Sequence, residues 1–281
     1  MSMKNRHVLG EAVRHLILII LALYTLAPLL FLFVNAFKSN NEIIASPVAL
    51  PEHWTLQYIK TAMEAINFGK ALGLTFIITF FSILLLVIVS SFAAWAMVRS
   101  KTILSNIVFL CFTAAMLVPF QSLMYPLLSV FEKMGLKNVQ GLILMYGGFG
   151  LSMSVFLYHG FIKSVPASLE EAAVLDGANL FQIFFKVVFP LLKGTTVTVI
   201  VLNGMWIWND YLLPFLVIGN KTGSKTLTLE LYFAKLTSGQ YGNPWELIFP
   251  AVFVTIIPII ILYIFLQKYI VAGVSEGAVK M

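Results

Sequence analysis

The sequence predicts an all-α integral membrane protein with six transmembrane helices. Hydrophobic residues make up 60% of the 281 positions and charged residues only 11%, against about 25% charged in a soluble domain. A water-soluble fold of this length has too little interior to hide so much apolar surface. The apolar residues also gather into six runs, each near the ~20 residues that a helix needs to cross a bilayer.

The runs cover residues 16–37, 71–97, 103–130, 139–162, 195–218 and 247–270. Lys4, Arg6 and Arg14 precede the first run, as they would in a secretory signal. That run is longer than a signal core, and no small-x-small cleavage site follows it. It is therefore expected to stay as a span. Six spans put both termini on one face. With the termini inside, ten Lys and Arg fall inside and eight outside. Several of the outer ones sit in longer loops, which weigh less. The tight Arg99-Ser100-Lys101 turn is the best single vote for a cytoplasmic loop. The expected division is a cytoplasmic N-terminal tail at 1–15, a membrane domain at 16–271 and a cytoplasmic C-terminal tail at 272–281.

The net charge of +6 does not indicate nucleic-acid binding, because the basic residues are scattered among short connections and form no stripe. Cys111 lies in an apolar run and reads as a small hydrophobe. His7, His15, His53 and His159 are too dispersed to ligate a metal. The outer connection 38–70 starts irregular at Pro47 and Pro51. Leu56, Ile59, Met63 and Ile66 then recur at helical spacing, which predicts an amphipathic outer helix. Residues 219–244 form a second outer excursion, rich in Thr, Gly and Lys.

Residues 163–193 form the one long cytoplasmic loop. Ser168-x-x-Glu171 has the capping-box pattern, with Pro166 just upstream. Gly177 suits a left-handed helix stop. Asn179-x-x-Gln182 signals a second helix start, followed by Phe181, Phe184, Phe185 and Val188, and Pro190 ends or kinks that helix. The loop thus reads as two short helices folded about Gly177. An acid cluster (Glu170, Glu171, Asp176) sits beside this apolar surface. That suits either docking of another protein or packing against the chain's own spans.

Glu171-Ala172-Ala173, three residues, Gly177, nine residues, then Val187-x-Phe189-Pro190 resembles the EAA motif of ABC importer permeases. The resemblance runs along nearly the whole chain and is closest to the second permease subunit of maltose-type and oligosaccharide-type importers. It is carried by Asn35-Ala36-Phe37-Lys38, by Ser91-Phe92-Ala93-Ala94-Trp95-Ala96 followed by Arg99, and by Val118-Pro119-Phe120-Gln121. Trp208-Asn209-Asp210-Tyr211 and the Gln267-Lys268-Tyr269 to Lys280 ending continue it. Gly194 and Gly73 depart from the family pattern, where a proline and an asparagine are usual.

The resemblance implies the type I ABC importer permease fold. It also implies a coupling role toward an ATPase for Glu170, Glu171, Ala172, Ala173, Asp176, Gly177, Phe181 and Pro190. The partners it implies are a second, homologous permease, two ATP-binding-cassette ATPases and an extracytoplasmic sugar-binding protein. The expected place is the bacterial plasma membrane. ATP and Mg would be bound by the ATPases, with no cofactor and no catalytic residue in this chain.

Asp210 is the only acid deep in an expected span, and a charge there should face protein or a water-filled path. With Trp206, Trp208, Asn209 and the proline-flanked Gln121, it either lines the translocation path or packs structurally. In maltose-type importers the partner permease supplies the membrane sugar site, which favours packing. Gly219 to Thr226 superficially resembles a phosphate-binding loop, but the spacing is wrong and Ser224 precedes Lys225. The expected function is a sugar permease subunit driven through the hairpin by separate ATPases. The alternative is an ion-coupled secondary transporter, which would ordinarily show several intramembrane ionisable residues or internal repeats.

Overall fold

The structure is a computed structural model that describes residues 3–219, 225–238 and 243–278. All regular structure among them is helical. Four helices are long and apolar enough to cross a membrane, and two bent helix pairs bring the number of possible spans to six. The chain divides into two units, Met1–Phe68 with Glu230–Pro258, and Gly69–Leu229 with Ile259–Met281.

In the first unit, α1 (Met3–Asn35) runs straight through the stretch expected as a tail and carries Pro28 inside it. Its apolar flank is uncovered, with Leu16 57% and Tyr24 80% exposed, as lipid contact requires. Ser39 caps α2 (Asn40–Ala45) by accepting from the Glu42 amide. The outer helix α3 (Gln57–Ala65) forms where the periodicity placed it. Its inner face differs from the expectation: Ala62 and Ile66 are fully buried, while Leu56 is 70% and Met63 37% exposed. Ala62 lies three to four residues from both Ile59 and Ile66, so a small side chain anchors the stripe. Ala62 and Ile66 pack on Ala251 and Val254 of α14 (Trp245–Ala278). Asn40 ties α2 to the start of α14 twice: its amide donates to Glu246 Oε2 at 2.9 Å, and its Oδ1 accepts from the Trp245 amide at 3.1 Å.

In the second unit, α4 (Phe68–Ser100) and α7 (Val139–Ile162) are continuous spans. The third run is not one continuous helix. α5 (Ile103–Ala115) and α6 (Phe120–Lys133) meet at 107°. Pro119 is the reason: it is extended (φ −68°, ψ 139°), it offers no amide, and it disfavours helical backbone at Val118. Pro126, by contrast, is accommodated inside α6. The fifth run is also interrupted. α11 (Lys193–Asn209) stops at Asp210, whose backbone is extended, and α12 (Leu212–Val217) follows. The second outer excursion holds a helix that its composition did not announce, α13 (Leu227–Ser238). Residues 220–224 of the Gly219–Thr226 turn lie outside the described residues, as do 279–281 of the expected C-terminal tail. Up to Ala278 that tail continues α14.

Small residues permit the closest packing in this unit. A β-carbon on Gly150 of α7 would meet Asn203 Oδ1 at 2.5 Å and Leu86 Cδ1 at 2.7 Å. Asn203 of α11 donates to Ser154 Oγ at 3.1 Å and to Val199 O at 2.9 Å, so the amide is satisfied where water is scarce.

Candidate functional site

The 163–193 segment folds as the expected helical hairpin, with one difference at its start. α8 (Ser168–Leu175) is not capped by Ser168: its N-cap is Ala167, which makes no side-chain cap. The preceding turn is closed instead by the Glu170 and Glu171 amides donating to Ala167 O, at 2.9 and 3.0 Å. Pro166 sets the turn, so the helix begins one residue before a Ser168 cap would place it.

Gly177 ends α8 with φ +80°. The Ala178 amide reaches back to Ala173 O and the Gly177 amide to Val174 O, both at 3.0 Å. This is the paired closure of a Schellman motif, and it satisfies carbonyls that the helix end would orphan. The second capping box forms fully: Gln182 N donates to Asn179 Oδ1 and Asn179 N to Gln182 Oε1, each at 2.9 Å. It opens α9 (Leu180–Gln182), which continues through a π-helical turn (Ile183–Val188) into α10 (Phe189–Leu191). Pro190 has no amide, and its ring would crowd the Lys186 carbonyl of a regular α-helix. The wider π turn directly before it relieves both problems. The arm Leu180–Leu191 then meets α11 at 77°.

One face of the hairpin is bolted to the end of α4. The Glu170 carboxylate accepts from Trp95 Nε1 at 2.9 Å and from Arg99 Nε at 2.8 Å, and Arg99 Nη2 lies 2.6 Å from Glu170 Oε1. Arg99 Nη2 also donates to Val165 O at 3.0 Å. Beside this, the fully buried Phe184 ring sits 4.9 Å from Phe92 and 5.3 Å from Trp95. Ile183, Val188 and Leu192 complete a core with Tyr158, Ile162 and Val199.

The other face is open. Leu175 is 89%, Leu180 67% and Phe181 66% exposed. Glu171, Ala172, Asp176 and Pro190 are exposed with them, while Ala173 is half-buried against the core. The acid cluster is therefore split: Glu171 and Asp176 face outward, and Glu170 faces the chain's own span. Sequence named Trp95 and Arg99 in the family-like run and Phe184 among the apolar contacts of the hairpin, but did not pair them with Glu170 as its anchors. The available signal was Trp95 and Arg99 four residues apart, hence on one helix face, at the end of an apolar span.

The polar group around Asp210 has a different character. Tyr146 Oη donates to Asp210 Oδ2 at 3.0 Å, the Leu212 amide donates to Oδ1 at 2.9 Å, and Thr228 Oγ1 donates to the Asp210 carbonyl at 2.8 Å. Asp210 thereby joins α7, the start of α12 and the start of α13. Trp206 is half-exposed and meets the Tyr146 ring edge-on at 5.5 Å. Trp208 is buried. Asn209 is exposed and its amide donates to Met205 O at 2.7 Å. Gln121 is exposed in the first turn of α6.

Residues 87–276 match the model of the binding-protein-dependent transport system inner membrane component family. The chain belongs to this family. The matched region runs from the second half of α4 into α14 and includes the whole hairpin. Among relatives, the chain is 44% identical over 262 residues to the probable starch degradation products transport system permease protein AmyC of Thermoanaerobacterium thermosulfurigenes, covering 93% of this chain and 94% of that one. It is 34% identical over 281 residues to the multiple sugar-binding transport system permease protein MsmG of Streptococcus mutans, covering 99% and 100%. A chain of a bacterial ABC transporter that imports the acidic polysaccharide alginate superposes with a TM-score of 0.80 at 24% identity, covering 96% of this permease and 98% of that chain. That likeness establishes the shared fold.

Proposed function

We propose that this chain is one permease subunit of a binding-protein-dependent ABC sugar importer in the bacterial plasma membrane, with both termini and the hairpin cytoplasmic. Two ATPase subunits bind ATP and Mg and hydrolyse the nucleotide. A homologous second permease completes the path, and an extracytoplasmic binding protein delivers the sugar. This chain performs no chemistry on its cargo. Sugar is the inferred class because the relatives AmyC and MsmG are named for starch degradation products and multiple sugars.

One observation supports the coupling role above the others. The hairpin is anchored on its inner face, through Glu170 and Phe184, and apolar and acidic on its outer face, through Leu175, Phe181, Glu171 and Asp176. An anchored element with an uncovered apolar crest can receive force from a partner and pass it to α4 without dissipating it in loop motion. ATP-driven closure of the motor would thus move the ends of the spans and alternate access to the path. The ion-coupled alternative gains no support, since both oxygens of Asp210 are already engaged by Tyr146 and Leu212.

Reconstitution tests this. Vesicles holding this chain with its co-purified partners should accumulate sugar only with ATP and the binding protein, and uptake should survive an uncoupler. Uptake by this chain alone, or its collapse with the proton gradient, would overturn the reading.

A further inference from the structure

The face that carries the hairpin holds a second feature beside the coupling joint. A cavity of about 540 Å³ opens between the ends of α4 and α7, lined by Arg99, Lys101, Asn106, His159, Lys163 and Ser164 among others. Its lining holds three cationic side chains and no carboxylate. Arg99 is already paired with Glu170, which leaves Lys101 and Lys163 as the remaining cations of the lining. Lys101 occupies the left-handed region at φ +48°, a conformation that a non-glycine residue adopts only at a cost. The Lys163 ammonium stands 5.9 Å over the Phe109 ring, and that ring stacks on His159 at 3.6 Å.

The surroundings complete the match. The cavity lies where two candidate spans end, at Ser100 and Ile162, and the end of a span in a bilayer meets the lipid headgroups. Directly beside it, α5 starts with Ile103 80%, Leu104 69% and Ile107 52% exposed. A basic recess with hydrogen-bond donors, continuous with an uncovered apolar helix face, fits a molecule that has an anionic head and hydrocarbon chains. Recesses of this kind between span ends bind acidic headgroups.

We infer that this cavity binds the phosphate headgroup of an anionic phospholipid, held by Lys101 and Lys163, with its acyl chains along Ile103, Leu104 and Ile107. The headgroup would then lie beside the arginine that anchors the hairpin.

The experiment uses the full chain, purified with its bound partners and placed in nanodiscs containing phosphatidylglycerol or phosphatidylcholine. Retained lipid is counted by native mass spectrometry. Phosphatidylglycerol should be retained and phosphatidylcholine should not. Lys101→Asn, which tolerates the left-handed backbone, and Lys163→Gln should each weaken retention about fivefold, and the pair about thirtyfold. Lys60→Gln and Lys70→Gln, which remove the same charge outside the cavity, should leave retention unchanged. Equal retention of the two lipids by the unsubstituted protein, which needs no variant to fold, would overturn the inference. So would equal loss in the control variants. Displacement of the lipid by millimolar inorganic phosphate at constant ionic strength would assign the cavity to a soluble anion and overturn the lipid reading.

Discussion

Glu170 accepts both Nε and Nη2 of Arg99, at 2.8 and 2.6 Å, and so joins the first helix of the hairpin to the last turn of α4. The two side chains are only 12% and 22% exposed, so removing either leaves the other poorly solvated. Such losses cost more than the pair itself contributes. Arg99→Ala should destabilise the joint by about 2 kcal/mol, below the fully buried range because of partial exposure. Hydrogen exchange at residues 168–176 should speed up while the membrane spans stay protected. Unchanged exchange would mean that the Trp95–Glu170 bond and Phe184 hold the hairpin without the arginine.

Phe184 is fully buried among Phe92, Trp95 and Phe189. Phe184→Ala should cost about 3–5 kcal/mol, as for other buried aromatic truncations. Thermal unfolding of the purified complex would register it. Phe181 stacks on Phe92 at 6.2 Å but is 66% exposed, so Phe181→Ala should lower that midpoint far less than Phe184→Ala and instead weaken co-purification of the ATPase.

Charge reversal at Glu171→Lys should also reduce ATPase co-purification, because Glu171 is exposed on the outer face. The variant should still reach the membrane in normal amount. The matching substitution at Glu170 should disturb folding of the hairpin as well, since its carboxylate points inward. The contrast between adjacent glutamates separates a docking contact from an internal one.

Gly177 has φ +80° with open space around the position of a β-carbon. Sterics of the chain itself, not of neighbours, therefore set the penalty. Gly177→Ala should cost about 1 kcal/mol and Gly177→Asn less, because asparagine tolerates the left-handed region. Transport per assembled complex should fall in the same order, Ala before Asn.

Asp210→Ala removes acceptors for Tyr146 Oη and the Leu212 amide together, whereas Asp210→Asn keeps one acceptor oxygen. The alanine variant should lose about 2–4 kcal/mol, and the asparagine variant roughly half of that. Uptake normalised to folded complex should remain in Asp210→Asn. Loss of uptake with intact assembly would instead indicate a residue of the translocation path.

Much of this was readable from the chain. Apolar runs of bilayer length fixed where helices form, and Gly177 and the Asn179–Gln182 pair marked both sides of the hairpin turn. What escaped was whatever depends on a partner far along the sequence. Ser168 carries a capping pattern, but Pro166 sets the turn one residue earlier. Glu170 and Glu171 are equivalent as letters, and only the position of Trp95 and Arg99 decides which one turns inward. Pro119 beside Gln121 marked a break in the third run, but not its 107° angle, and Asp210 was read only as a buried acid, whereas its Oδ1 accepts from the Leu212 amide where α12 restarts.

The π turn at Ile183–Val188 carries one more implication. It sits between the crest and the 77° corner at Leu192, and it turns Ile183, Phe184 and Val188 inward together. The second arm is thus held by apolar burial and the first by the charged Glu170–Arg99 pair, so the two halves of one elbow rest on forces of different kinds.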